Sequence, residues 1–190
     1  MAVEPVTRIK DGRSWRIGTA VDVAWIDAGT DIGLTITSAI PPVFEAYATV
    51  LAPEDIQDNA QHEHELLSVL RDHTAPDQPW WLGFLDTGSD DIVFPDAPKV
   101  SMYADWRYVL VEAGPEQAGT WRDPGSWRGA LPDLTFPADR SWLVSYLWDD
   151  EWRCIGGTTA LIDALLHSQS LAMRRVSLDE DATPPGHEAR

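Results

Sequence analysis

Residues 79 to 98 read PWWLGFLDTGSDDIVFPDAP. Trp80 to Leu85 is apolar without interruption, short and aromatic, which predicts a strand covered on both faces rather than one with a wet side. Gly88-Ser89-Asp90-Asp91 has turn chemistry and Ile92-Val93-Phe94 resumes the apolar pattern, so the stretch reads as a β-hairpin ended by Pro95 and Pro98. The rest of the chain is organised around this segment.

Upstream, the set Ile17, Val21, Ala24 or Trp25, and Ala28 fits a helix, while Val21, Val23 and Trp25 also alternate as a strand would, and both assignments stay open. Ile32, Leu34 and Ile36 alternate until Pro41-Pro42 stops them, and Val43 to Leu51 reads as strand. Pro53 to Arg71 predicts the clearest helix, with Pro and Glu54-Asp55 in its first turn and Arg71 and His73 at its negative end. It carries Gln61-His62-Glu63-His64-Glu65. His62 and His64 point to different faces, so they cannot share one metal ion; His62 with Glu65 could, but the run reads rather as a solvated acidic face.

Downstream, Tyr108 to Glu112 predicts a strand, Gly114-Pro115 opens a helical turn, and Arg122 to Pro137 is a Pro- and Gly-rich loop with the character of a lid. Ser141 to Leu147 and Trp152 to Ile155 form a second hairpin about Asp149-Asp150. A helix from Thr158 to His167 follows, with Leu161, Ile162, Leu165 and Leu166 on its buried side, and Leu171 to Leu178 is a final edge element. The fold class that results is α+β: a single domain over 1–178, a mostly antiparallel sheet with two main amphipathic helices packed on it, and a mobile tail over 179–190.

Charge narrows the function. The chain has 31 acidic residues against 14 Lys and Arg, a formal net charge of −17. That field repels phosphate backbones and anionic membranes and attracts a basic partner or a cation, so neither nucleic acid nor membrane is expected as a partner. No run approaches the roughly 18 to 20 apolar residues of a membrane helix and no signal-peptide core is evident, which predicts a cytoplasmic protein. Cys154 is the sole cysteine, so no disulfide framework or cysteine zinc site is expected, and it reads as a buried hydrophobe more readily than as a nucleophile. Gly156-Gly157-Thr158-Thr159 lacks the lysine of a phosphate loop and reads as a helix cap. No metal or cofactor is expected.

Asp86-Thr87-Gly88-Ser89, preceded by Phe84-Leu85 and followed by Ile92-Val93-Phe94, resembles the catalytic loop of pepsin-like and retroviral aspartic proteases. Cys154-Ile155-Gly156, an apolar pair and glycine leading into a helix, is a fainter second feature of that family. In the family two such loops face each other and their aspartates share one proton. The chain has one loop, so the resemblance implies a symmetric dimer using Asp86, Thr87 and Gly88 from each copy. The same four residues are also ordinary turn chemistry.

Ten tryptophans are present. If the two hairpins lie side by side, Trp80, Trp81, Trp148 and Trp152 with Asp90, Asp91, Asp149 and Asp150 form one acidic and aromatic patch, suited to a basic protein surface. The overall layout resembles small α+β immunity proteins. The expectation is therefore an acidic protein-binding domain of inhibitor or immunity type that neutralises a basic partner, with the dimeric aspartic hydrolase as the alternative. Oligomeric state is left open by the sequence.

Overall fold

The apolar run at Trp80 lies in the middle of an antiparallel sheet. The computed structural model describes residues 4–88, 92–123, 125–126 and 128–184, and Asp90 and Asp91 lie outside them. Among the described residues the strands are β1 (Thr7–Lys10), β2 (Arg13–Ile17), β3 (Ala46–Leu51), β4 (Trp80–Leu85), β5 (Val100–Met102), β6 (Trp106–Ala113), β7 (Leu134–Pro137), β8 (Leu143–Ser145), β9 (Trp152–Gly157) and β10 (Arg174–Val176). The helices are α1 (Ala20–Asp27), α2 (Ile56–Asp72), α3 (Pro115–Ala118) and α4 (Thr159–His167). All ten strands join one sheet in the order β1-β2-β6-β4-β7-β8-β9-β3-β10, with β5 paired to β6. Every pairing is antiparallel. The architecture is mixed α+β, and none of the helices is long and apolar enough to cross a membrane.

β4 shows why its sequence has no polar alternation. Trp80, Leu82 and Phe84 point into the cluster that holds Leu66 and Leu70 of α2 and Leu161, Ile162 and Leu165 of α4. Trp81 and Leu85 point the other way, into a cluster with Val23 and Ile26 of α1 and with Ile36 and Ile40. Successive residues face opposite sides of a strand, so covering both sides buries all six. The tryptophans serve this core: Trp80 and Trp142 meet edge to face at 4.8 Å, and the Trp142 indole donates to Thr74 Oγ1 at 2.8 Å. On the other face Trp81 stacks near Phe136 and carries the Arg16 guanidinium 4.3 Å above its ring.

Several local expectations hold. The second hairpin is β8 with β9, register Leu143↔Gly156 to Ser145↔Cys154. Thr158 caps α4 by accepting from Leu161 N, and the expected long helix is α2, starting at Ile56 rather than Pro53, with Asp55 accepting from the Gln57 and Asp58 amides as its cap. The ambiguous segment at residue 17 holds both elements in turn, β2 ending at Ile17 and α1 starting at Ala20.

Other expectations are corrected. The first hairpin does not form: β4 pairs with β6 and β7, not with Ile92–Phe94, which is irregular and packs Ile92 and Val93 under the α2 side of the sheet. Ile32 and Leu34 are not in a strand, and they project from a loop at 94% and 78% exposure. The lid is a strap, since Leu134–Pro137 is β7, hydrogen-bonded between β4 and β8, and Arg122 and Arg128 are buried. The tail packs through its first residues. Asp181 bridges Thr35, Ala182 is 3% exposed, and its amide donates to Leu34 O at 2.9 Å.

Candidate functional site

Between β8 and β9 the chain turns through Tyr146–Glu151, and this turn gathers the exposed part of the expected patch. Trp148 is 43% exposed and Asp149 and Glu151 are exposed, while Asp150 and Trp152 are half-buried. The turn is fixed from beneath. Arg128 donates to the carbonyls of Tyr146 (2.9 Å) and Leu147 (3.3 Å), and its guanidinium lies 4.0 Å over the Tyr146 ring and 5.8 Å from that of Trp148. On one side of the turn is an open hollow of about 650 Å³ that Glu54, Trp148, Asp149, Asp150 and Glu151 line. Asp149 and Asp150 also line a second hollow on the other side. Burial, reinforced by the charge of Asp149, pushes the Asp150 carboxyl up to about 6.

Trp80 and Trp81, expected in this patch, are not on the surface. They are 1% and 5% exposed, because the strand carrying them is central rather than half of an edge hairpin. Of the residues expected to meet a partner, the structure brings together Trp148, Asp149, Asp150 and Trp152.

Asp86 stands at the exit of β4. Its Oδ1 accepts from Gly88 N at 3.2 Å, an arrangement that the positive φ of Gly88 (80°) accommodates, and its Oδ2 pairs with Lys99 Nζ at 3.2 Å. Partial burial works to raise the carboxyl, but the bonds from Lys99 and Gly88 and the charges of Lys99 and Arg107 outweigh it and hold Asp86 below the usual range. The groups acting on it are cations, the reverse of a like-charge aspartate pair. Thr87 lies in the same turn.

Two further readings close on geometry. At Gly157-Thr158 the free amide of Thr159 donates to Glu45 Oε2 at 2.9 Å, so a carboxylate of the chain already occupies the start of α4. Cys154 is 1% exposed, and burial together with the charge of Asp150 pushes its thiol well up, which keeps it protonated and unreactive.

A buried ionic network under the turn was missed by sequence reasoning. Asp133 takes Arg122 Nη2 on one oxygen and Arg128 Nε on the other, both at 2.5 Å. Glu63 takes Arg153 Nη2 at 2.5 Å and also the amides of Ala130 (2.8 Å) and Leu131 (3.4 Å). His62 and Glu63 are 3% and 4% exposed, so half of the supposed solvated face of α2 points inward. The available signal was arginine within apolar strand sequence, as in Trp152-Arg153-Cys154-Ile155, which requires a carboxylate from elsewhere. Among the described residues, no group of three or more His, Cys, Asp or Glu is placed to hold a metal ion. No family model, curated protein or solved structure matches the chain.

His62 and Asp150 make the acid response a contest of signs. Burial and the charge of Arg153 push His62 down to about 4 from 6.5, so its contribution is present above pH 6.5 and is lost as pH falls through 4, roughly 3 kcal/mol in all. Asp150 is raised, so protonating it favours the fold below pH 6 and works in the opposite direction. In urea unfolding at pH 7.0, 5.5 and 4.5 (about the two midpoints), Asp150→Asn is expected to lose stability on acidification more steeply than the parent and His62→Leu less steeply. Parallel curves for all three would show that neither group carries the linkage.

Proposed function

We propose that this chain is a cytoplasmic acidic binding domain of inhibitor or immunity type that neutralises a basic protein by covering it with the Trp148–Trp152 turn. In this reading α2 and α4 are the two main helices packed on the sheet, a rigid backing that holds the turn in its binding shape before contact. The supporting observation is the turn itself. It presents a large aromatic side chain among three consecutive acidic residues, and Asp149 and Asp150 form no hydrogen bond or ion pair with the described residues. Carboxylates left without cations repel one another, and a basic surface offsets that repulsion while Trp148 supplies apolar contact. The net charge of −17 steers such a partner inward from a distance.

The test is capture from the source lysate on immobilised protein, followed by identification of what binds. A basic protein is expected, released between about 0.1 and 0.5 M salt as screening shortens to a few ångströms, and its own activity should fall when the purified chain is added. Charge reversal by Asp149→Lys with Asp150→Lys, in protein whose melting temperature is unchanged, is expected to reduce capture by about tenfold or more. Capture indifferent to both salt and reversal would refute the proposal.

A further inference from the structure

The second hollow beside the turn, about 340 Å³, differs from the first in its chemistry. Its floor is aromatic and aliphatic, formed by Tyr103, Trp106 and Leu147. Its lip is the loop that carries Ile32 and Leu34, 94% and 78% exposed. Its lining carries the carboxylates of Asp27, Asp31, Asp149 and Asp150, and no Lys, Arg or His lines it.

Two features separate this groove from an ordinary acidic surface. The lip is fastened by its backbone while its apolar side chains face water. Asp31 N donates to Thr37 O at 3.1 Å, Ala182 N donates to Leu34 O at 2.9 Å, and Thr35 bridges Asp181. Exposed apolar side chains on an anchored backbone, rimmed by charge, mark a contact surface that needs little ordering on binding. Asp27, moreover, is the last residue of α1, whose final turn contains no basic residue. A carboxylate there adds to the negative end of the helix dipole, an arrangement that a cation relieves. Asp27 forms no ion pair or hydrogen bond with the described residues, and Asp150, half-buried beside Asp149, is likewise unpaired.

We infer that this groove receives an extended segment of the basic partner in which an arginine or lysine alternates with apolar residues, the cation entering between Asp27 and Asp150 and its apolar neighbour resting on Ile32 and Leu34. The inference rests on the proposed binding function and names the part of the partner that gives it specificity. An arginine or lysine suits the site because its aliphatic stem covers Leu147 and the aromatic floor while the charged head stays among the carboxylates. A simple polycation lacks the first half of this match and a neutral apolar peptide the second.

The experiment is an NMR titration of the full isotope-labelled chain with three probes: the acetylated, amidated peptide Leu-Arg-Leu-Lys-Leu-Arg, the same peptide with its cationic residues replaced by glutamine, and spermine. The cationic peptide is expected to shift the Trp106 indole and the Ile32 and Leu34 methyl signals, and to bind about tenfold or more tightly than either other probe. Asp27→Asn with Asp150→Asn, and separately Ile32→Ser with Leu34→Ser, should each weaken it by about tenfold. Asp72→Asn with Asp77→Asn, the same loss of charge at exposed residues that do not line the groove, should leave it within about twofold. Shifts confined to Trp148 and the Glu54 side would overturn the groove while leaving the wider binding function standing. Equal binding of spermine, or of the glutamine peptide, would also overturn it. Absence of any shift with every cationic probe would count against both.

Discussion

Asp133→Asn is expected to destabilise the protein by about 3–5 kcal/mol, the range for removing one partner from a buried ion pair. The Asp133 side chain is fully buried, and those of Arg122 and Arg128 are 3% and 2% exposed. Its two oxygens together receive both guanidiniums and the Leu85 amide at 2.8 Å. An asparagine keeps the shape but offers one acceptor where two are used and no charge, leaving two cations in a medium that solvates them poorly. For a chain of this size the loss corresponds to a melting temperature lower by roughly 10–15 °C. Urea unfolding monitored by tryptophan fluorescence measures it directly, and a loss below about 1 kcal/mol would show that the network is solvated and incidental. Because Arg128 also holds the carbonyls of Tyr146 and Leu147, the same variant should loosen the Trp148 turn before the molecule unfolds.

Glu63→Ala is expected to cost a similar amount, about 3–5 kcal/mol, for a related but distinguishable reason. Glu63 neutralises Arg153, which is 1% exposed, and accepts the amides of Ala130 and Leu131, so it ties α2, β9 and the strap that precedes β7 to one carboxylate. The strap approaches closely enough to do this because residue 129 is glycine. Its φ is +79°, and a Cβ there would lie 2.2 Å from the Glu63 carboxylate. Adding Arg153→Met to Glu63→Ala should return part of the loss, since the second change removes the stranded cation, and the double-mutant cycle should give a coupling of about 2 kcal/mol or more. Strict additivity would mean that the two side chains are independent and that the loss came from the amides alone.

What was legible in the sequence was local. Thr158 caps the helix it was expected to cap, the hairpin around Asp149-Asp150 forms, and β4 is covered on both faces as its unbroken apolar run implies. The misplaced residues are those whose environment depends on chain far away. Trp80 and Trp81 are buried because distant segments cover both faces of their strand, and Ile92–Phe94 lost the place beside β4 to longer apolar segments that pair with it over more residues. Trp80 and Trp81 therefore left the surface, while the part of the expected patch on Trp148 to Trp152 stayed, being in a turn that links two adjacent strands.

By itself the sequence determined the strands and helices whose signals span a few residues, and it determined the net negative charge. Periodicity, capping and proline act over one or two turns of chain, so they can be read without knowing the rest. Only the tertiary structure decided which charges are buried and which face water. Arg153 and Glu63 are separated by 90 positions, and no local pattern states that they meet. A carboxylate on a helix is solvated or interred according to what packs against it, which is a property of the assembled layers and not of the helix that carries it.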